Sequence, residues 1–596
     1  MNPELLLAHF NRISGVPDAM PLMRRFLLDL AVRGKLVEQS PSDEPASELL
    51  RRFQEEKTQL VKDGVIKKIH SNPQPPDSAF PFPLPSGWAG STLQSLCISV
   101  TDGDHLPPPK ADQGIPFLVI GNVRSHTLDF AGCRHVSEEY YNALDTIRRP
   151  QMNDVLYTLV GSYGIPTMVT DDKKFCVQRH IGILRPSRKM NAPFLTRVLE
   201  SKWVFDQATA CATGIAQKTV PLAGLRKILI PLPPLAEQYR IVAKVDELLA
   251  LLNELQLLTN EQEDRRDRVV LASVYHLSNA ANAEVVRKQA CFYFKHLPCL
   301  TTQPSHIQQL RQTILSLAVR GFLVPQDSED EPASELLKQV SAEKARLAKE
   351  CQIKQKPLPA IGESTVPFNL PCGWSWTRLG ELSRLVTSGS RDWAKFYSND
   401  GAIFVRMGNL SRDSYHLRLS NIQRVKPPAD SEGARTKLEE GDILISITGE
   451  VGLLGLIPHN FDEAYINQHT CLVRPMDQLR SRFLPELFRS PFAQTQFDEP
   501  QRGLKNSFRL TDVTSFLVPL PPLAEQFRIV AKIDELMALC DRLEEQLVTS
   551  GVVSRVLLEA VLHHALTDTI ESASRTDALT PESDVAPSRV HSLQQW

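Results

Sequence analysis

A chain of 596 residues is longer than one hydrophobic core usually supports, so several domains are expected. Its 42% hydrophobic and 23% charged residues are ordinary for a soluble globular protein, and a net charge of −2 neither requires nor excludes nucleic acid, because local patches decide that. No apolar run reaches the ~18 residues of a membrane span, MNPELLLAHFNR lacks the build of a secretory signal, and ten scattered cysteines without a CxxC pair argue for a reducing compartment and against a zinc or disulfide frame.

In chain order, residues 1–84 read as a helical arm. LAVRGKLVEQSPSDEPASELL (Leu30–Leu50) is apolar at helical spacing, breaks at Gly34, and resumes as a charged amphipathic helix. Residues 85–234 read as a mixed α/β domain with short strands, IPFLVIGNV (Ile115–Val123) and NDVLYTLVGSYGIP (Asn153–Pro166), each running into a glycine turn. Residues 235–284 are one long helix after the pair Pro233–Pro234, placed where a missing N–H is tolerated. Residues 285–365 are a second arm and linker, with Asp330 or Glu331 expected to cap a helix and Pro332 in its first turn. Residues 366–522 form a second α/β domain, 523–566 a second long helix after Pro521–Pro522, and 567–596 a polar tail expected to be disordered.

The chain is written twice. Leu30–Leu50 returns as LAVRGFLVPQDSEDEPASELL (Leu317–Leu337), FPLPSGW (Phe82–Trp88) as FNLPCGW (Phe368–Trp374), and PLPPLAEQYRIVAKVDELLALLNEL (Pro231–Leu255) as PLPPLAEQFRIVAKIDELMALCDRL (Pro519–Leu543). The offsets are 287, 286 and 288, a domain-sized period rather than a solenoid's. The blocks between, 89–230 and 375–518, have drifted apart: a symmetric frame carries two different readers. The first block holds 16 Lys+Arg against 12 Asp+Glu and the second 18 against 17, a weak basic bias.

Along the long helices Ile241, Val245, Leu248, Leu252 and Leu255, and again Ile529, Ile533, Leu536, Cys540, Leu543 and Leu547, alternate in steps of four and three. That spacing is a coiled-coil seam, widened by Val242, Leu249, Val530 and Met537; the two stripes match each other well enough to pack together, the alternative being that each packs on its own domain. The fold class expected is therefore α+β: two α/β recognition domains separated by long helices that pair as an antiparallel coiled coil.

Catalytic signals are sparse. The sequence holds no GxxxxGK[ST] loop, HExxH, GxGxxG after a strand, or Asn/Asp-Pro-Pro-aromatic tetrad of an amino-methyltransferase. Asp154 and Asp442 each open a strand without the following Glu-x-Lys of a nuclease, so a turn role is expected. His180 and His469, at equivalent places, and His563–His564 are read as structural.

Two divergent blocks, each closed by PLPPLAEQ-[YF]-RIV-x-K-x-DEL and opened by LPSGW or LPCGW, resemble the specificity subunit of type I restriction–modification systems, in the long form with a helical arm. The likeness spans roughly residues 22–566. It implies a non-catalytic subunit whose two recognition domains each read half of a split, asymmetric site in double-stranded DNA. Paired helices set the gap and dock two modification (methyltransferase) subunits. Restriction (translocase and nuclease) subunits join them. S-adenosylmethionine, ATP and Mg²⁺ belong to those partners, with no cofactor or metal held by this chain, no membrane, and a bacterial or archaeal cytoplasmic location.

Loops on a rigid scaffold are the usual seat of specificity. The expected DNA contacts are Gln217, Lys218 and Thr219 in the first block, and Lys505, Asn506, Ser507 and Arg509 in the second, since amides read adenine edges, Arg reads guanine and Lys holds phosphate. The matched pairs Gly121–Asn122 and Gly408–Asn409 are further candidates, beside a plain strand-end turn, and Arg391 and Lys110 are alternative places. Two rivals stay open on residues alone: a coiled-coil scaffold without a DNA role, and a stand-alone DNA-modifying enzyme.

Overall fold

Each PLPPLAEQ segment passes from strand to helix within two residues. In the computed structural model the strand Leu229–Leu232 is followed by a 44-residue helix, Leu235–Ser278, and the strand Leu517–Leu520 by a 45-residue helix, Leu523–Thr567. The prolines lack the N–H groups a first turn leaves unbonded. Gln238 then closes the turn twice, its backbone N–H donating to Pro234 O and its side-chain Nε2 to Pro233 O, both at 3.0 Å. Gln526 does the same to Pro522 O and Pro521 O. The structure describes residues 19–66, 74–105, 108–109, 111–214, 217–280, 282–350, 358–362, 365–428, 436–499 and 507–567. The tail from 568, and Lys110, Lys505 and Asn506, lie outside them.

These residues form two compact units, one made of those up to 262 together with those from 551 onward, the other of 263–550. Each long helix therefore begins in one unit and ends in the other.

In the first unit the recognition domain is closed by a two-stranded antiparallel ribbon, Ala89–Thr92 against Leu229–Leu232, with Ala89 opposite Leu232. Beyond it a four-stranded antiparallel sheet runs in the order Cys97–Asp102, Ile181–Pro186, Val155–Thr158, Pro166–Met168. Its strands read as apolar runs because both faces are covered. Val155, Tyr157 and Leu184 pack with the helices Ala192–Leu199 and Lys202–Cys211, whereas Leu156, Ile181 and Ile183 pack with Leu118, Val169 and Phe175 on the other face. The second unit repeats the plan. Its ribbon pairs Ser375–Arg378 with Leu517–Leu520, and its sheet runs Ser383–Ser388, Thr470–Pro475, Ile443–Ser446, Leu454–Leu456. A second sheet there is built from Tyr397–Ser398, Gln423–Val425, Ala402–Val405 and Ala464–Ile466.

The arms are helical as expected. Ala46, Leu49 and Phe53 bury one face of Ala46–Lys62, while Arg51 pairs with Glu48 and Glu55 on the exposed face. The capping expectation fails. The matching second-arm helix starts at Ala333, after Pro332, and Asp330 instead binds Arg528 of the long helix at 2.5 Å.

The repeated motifs converge on one buried carboxylate in each half. Glu237, 1% exposed, accepts from Trp88 Nε1 at 3.0 Å and from Gln39 Nε2 at 3.1 Å. Glu525, also 1% exposed, accepts from Trp374 Nε1 at 2.9 Å and from Gln326 Nε2 at 3.2 Å. Burial raises both carboxyls above the ordinary range, against the pull of these donors. Arg240–Asp43 and Arg528–Asp330 flank the two nodes. Gly34 and Gly321 take positive φ there (67° and 73°), and a Cβ on either would stand 2.4 Å from Cγ of Pro85 or Pro371. Thus LAVRG, LPSGW and PLPPLAEQ are repeated together because they touch one another.

The seam residues behave differently from the simple coiled-coil expectation. Ile241 and Val245 are buried in the core of their own arm and recognition domain, whereas Ile529, Ile533, Leu536 and Cys540 lie in a core that holds their own arm and recognition domain together with Val270 and Leu277 of the first long helix. Leu248, Leu252, Leu255, Leu543 and Leu547 are half-buried. The arm supplies the partner: Ile241 and Val245 share a core with Leu28, Ala31 and Val32 of the arm helix Ala19–Val32, whereas Ala19, Phe26 and Leu30 of that helix pack on Leu558 and Leu562 near the end of the second long helix. Arg24 binds Asn253. In the second unit Arg311 of Pro304–Val319 reaches Asp541 at 2.7 Å and Glu544 at 2.9 Å. His563 and His564 lie exposed on the last turns.

Candidate nucleic-acid interface

The antiparallel register brings three loops of each recognition domain to one end of its main sheet. In the first, Gly182 lies opposite Asp102 and Ile181 opposite Thr158, so the chain leaves one strand after Asp102, enters another at Ile181 and leaves a third after Thr158, all at that end. A fourth loop joins them: Val160 bridges Thr219, and Gly161 N–H donates to Lys218 O at 3.0 Å. Gln217 and Lys218 are exposed and Thr219 is half-buried. In the second domain Ser388 lies opposite Cys471 and Ser446 opposite Thr470, Thr448 bridges Ser507, and Phe508 N–H donates to Ile447 O at 2.9 Å. Arg509 is exposed at the start of the helix Leu510–Ser515. The structure thus places Gln217, Lys218, Thr219, Ser507 and Arg509 at equivalent edges.

The edges are held by shared backbone devices. Gly103 and Gly389 run so close to the neighbouring strand that a Cβ would fall 1.9 Å from Val177 O and 2.1 Å from Ile466 O. At the opposite end of the same strands Asp154, 2% exposed, takes Arg185 at 2.8 Å and the Gln151 N–H at 2.9 Å. Asp442, fully buried, takes Arg474 at 2.7 Å and the Glu439 N–H at 2.7 Å. The turn role expected for these carboxylates is correct, and each also neutralises a strand arginine.

The Gly-Asn candidates are engaged in their own turns to different extents. Asn122 accepts from Val119 N–H and donates to Asp129 O, both at 2.9 Å. Asn409, 5% exposed, accepts from Arg406 N–H and donates to Arg418 O and Asn421 O. The Asn409 amide spends both N–H groups on its own turn, whereas the half-buried Asn122 spends one. Gly121 and Gly408 have open space at the Cβ position.

Sequence reasoning missed the loops Gln178–His180 and Asn467–His469. The two histidines were read as fold residues, yet His180 is only half-buried and His469 is exposed. Their carbonyls accept from Leu159 and Ile447 N–H at 2.9 Å, which seats both at the sheet edge. Burial and the adjacent Arg179 lower the His180 pKa, so its ring is neutral at pH 7. The loop after the first strand also differs between copies. In the first domain Asp102, Asp104, His105, Arg148 and Tyr140 form a network, with Tyr140 donating to Asp104 at 2.8 Å and His105 3.1 Å from Asp102. In the second, Ser388, Ser390 and an exposed Arg391 occupy those positions. Among the described residues no three His, Cys, Asp or Glu side chains are grouped to hold a metal, and no helix is long and apolar enough to cross a membrane.

The profile of the type I restriction modification DNA specificity domain matches this chain twice, at residues 85–262 and 371–549. The EcoAI type I restriction enzyme specificity subunit of Escherichia coli is 31% identical over 569 residues, covering 91% of this chain and 93% of the relative. The EcoEI specificity subunit of the same species is 29% identical over 586 residues, with the same coverage. A solved HsdS subunit from Thermoanaerobacter tengcongensis is 19% identical, covers 82% of this chain and 99% of its own, and has a TM-score of 0.39.

Proposed function

The chain belongs to the type I restriction–modification DNA specificity family, and from that membership we propose how its two halves divide the work. It is a DNA specificity subunit, and its role is recognition rather than chemistry. Each recognition domain reads one half of a bipartite, asymmetric site in double-stranded DNA with the loop edge described above. Two modification subunits dock on the repeated frame and restriction subunits join them. S-adenosylmethionine, ATP and Mg²⁺ serve those partners, in the bacterial or archaeal cytoplasm. The long helices pair lengthwise and set the unread gap.

One observation carries this reading. The two frame nodes use the same residue types in the same contacts, while the two edges share backbone geometry and differ in side chains. A twofold frame suits two equal partners, and unequal readers suit a site without a palindrome.

The test exchanges residues 89–230 for the equivalent block of a relative and sequences methylated adenines in cells that also make the modification subunit. One half-site is expected to change and the other to stay. If both change together, the domains do not read independently. For the ruler, seven residues inserted into each long helix, near Leu252 and Leu543, add about 10 Å at 1.5 Å per residue. That is about three base pairs at 3.4 Å each. The preferred gap should lengthen, with weaker binding, because each added base pair also turns the far half-site by about a tenth of a turn.

A further inference from the structure

The two edge histidines make the same contact with the residue before them. Arg179 Nε donates to His180 Nε2 at 3.3 Å. Gln468 Nε2 lies 2.9 Å from His469 Nε2. Neither arginine nor an amide nitrogen can accept, so in both domains the ring Nε2 is the acceptor and the proton sits on Nδ1. In the second domain that Nδ1 is 2.6 Å from Thr448 Oγ1, a hydroxyl able to accept its proton. In the first, the lowered His180 pKa keeps the ring an acceptor at neutral pH.

The consequence is orientation. Arg179 is exposed, and its Nη1 and Nη2 make no hydrogen bond among the described residues. A long side chain on a surface ordinarily samples many rotamers. Here its Nε is tied, and the terminal fork of an exposed side chain is left as a paired donor. A planar fork of two N–H groups matches O6 and N7 of guanine. The counterpart Gln468 has one N–H on the ring, and its second N–H and its Oε1 are unused among the described residues. One donor and one acceptor side by side match N7 and N6 of adenine.

We propose that Arg179 and Gln468 are the specificity-determining residues at equivalent points of the two readers, that His180 and His469 position them, and that the first half-site carries a guanine where the second carries an adenine. This rests on the DNA-reading function of the two edges.

The experiment uses the full chain with its modification subunit, and reads the methylated motif by sequencing host DNA. Arg179→Ala should relax one base pair of the first half-site by about 5- to 150-fold in discrimination, the range of one bidentate base contact. Arg179→Gln should shift that base pair from G·C toward A·T, and Gln468→Arg should shift one base pair of the second half-site the other way. The untouched half-site in each variant reports that the subunit is folded and assembled. His180→Ala should relax the same base pair as Arg179→Ala, with no further loss in the double variant, while His180→Gln, which keeps an acceptor, should restore discrimination. An unchanged motif in Arg179→Ala and Arg179→Gln overturns the proposal. So does a uniform loss of affinity over all sequences, which would make Arg179 a phosphate contact. If the wild-type complex itself marks no bipartite site, the DNA-reading function fails, and that result is separate from the variants.

Discussion

At the node beneath each recognition domain the two halves agree contact for contact: tryptophan and glutamine on a buried glutamate, arginine on an arm aspartate, glycine against proline. At the loop edges they agree only in backbone. Strand ends, glycine close approaches and isolated bridges recur, while Asp102, Asp104 and His105 give way to Ser388, Ser390 and Arg391, and Arg179 to Gln468. Between node and edge lies a third situation, in which one task is performed by different residues. The first domain is tied to its long helix by Arg197–Asp246 at 2.8 Å, with Glu200 beside it. The second is tied by Arg482–Asp534, and its neighbouring pair is reversed in sign, Glu486 with Arg489. A contact that only holds a domain in place tolerates such exchange. A contact that three segments share does not.

Four measurements can break or sharpen that comparison. The largest effect is expected at the strand ends opposite the edges. Asp442→Ala removes from Arg474, whose side chain is 9% exposed, the buried one of its two carboxylate partners and leaves only the exposed Glu439 at 2.7 Å, and should destabilise the second recognition domain by about 3 kcal/mol in chemical denaturation. Asp154→Ala should cost a similar amount: the Arg185 side chain is 15% exposed and better hydrated, but Asp154 is its one carboxylate partner among the described residues. Next, Trp88→Phe and Trp374→Phe each remove one donor from a buried carboxylate and should each cost about 1–3 kcal/mol. Equal losses would confirm that the nodes are equivalent, and a twofold difference would show that the matched geometry hides unequal stability. Third, Lys218→Ala should lower the slope of log affinity against log salt by about one if the ammonium meets a phosphate, and an unchanged slope would remove it from the DNA face. The smallest effect concerns Lys57, whose Nζ donates to Gln94 O and Ser95 O at 2.6 and 2.7 Å, and whose pKa burial pushes down to about 8. An unfolded lysine titrates near 10.4. The unfolded chain therefore holds more protons between those values, and stability should rise with pH across that window. Replacing Lys57 by Met should flatten that part of the profile, and a rise of equal size in the variant would assign it to other groups. Lys344, at the matching place in the second arm, is shifted the same way by burial.

Much of the frame was legible because its signals are local. The Pro-Pro starts, the apolar spacing of the arms and the domain-sized repeat all depend on neighbours in sequence. The node was half legible. The glutamates stood in the quoted motif, but nothing local says that Glu237 meets Trp88, 149 positions away. The recurrence of Gln39 with Gln326 and Asp43 with Asp330 was the available sign. The seam misled in part, because a 4-3 stripe states only that a helix face is covered. Ile241 and Val245 are covered by their own domain and arm. At the edge, the logic of loops on scaffolds pointed to Gln217–Thr219, which the structure seats beside Val160 and Gly161. The histidines were weighed as catalysts or core residues, and their half-buried and exposed places at the sheet edge are set by pairing between distant strands.

The ribbon that closes each recognition domain has a consequence for how such proteins diversify. Incoming Ala89–Thr92 and outgoing Leu229–Leu232 are paired strand to strand, as are Ser375–Arg378 and Leu517–Leu520, so the two ends of each domain sit about 4.8 Å apart. A domain whose ends meet at one point is a cassette. It can be lifted out between Trp88 and Pro231 without changing the distance its neighbours must span. The flanking coding stretches are the near-identical ones, which is where a genetic crossover would fall. Exchange at those borders would install a foreign reader on an intact Glu237 node in a single event, and a cell would gain a new target sequence while every contact of that node stayed the same.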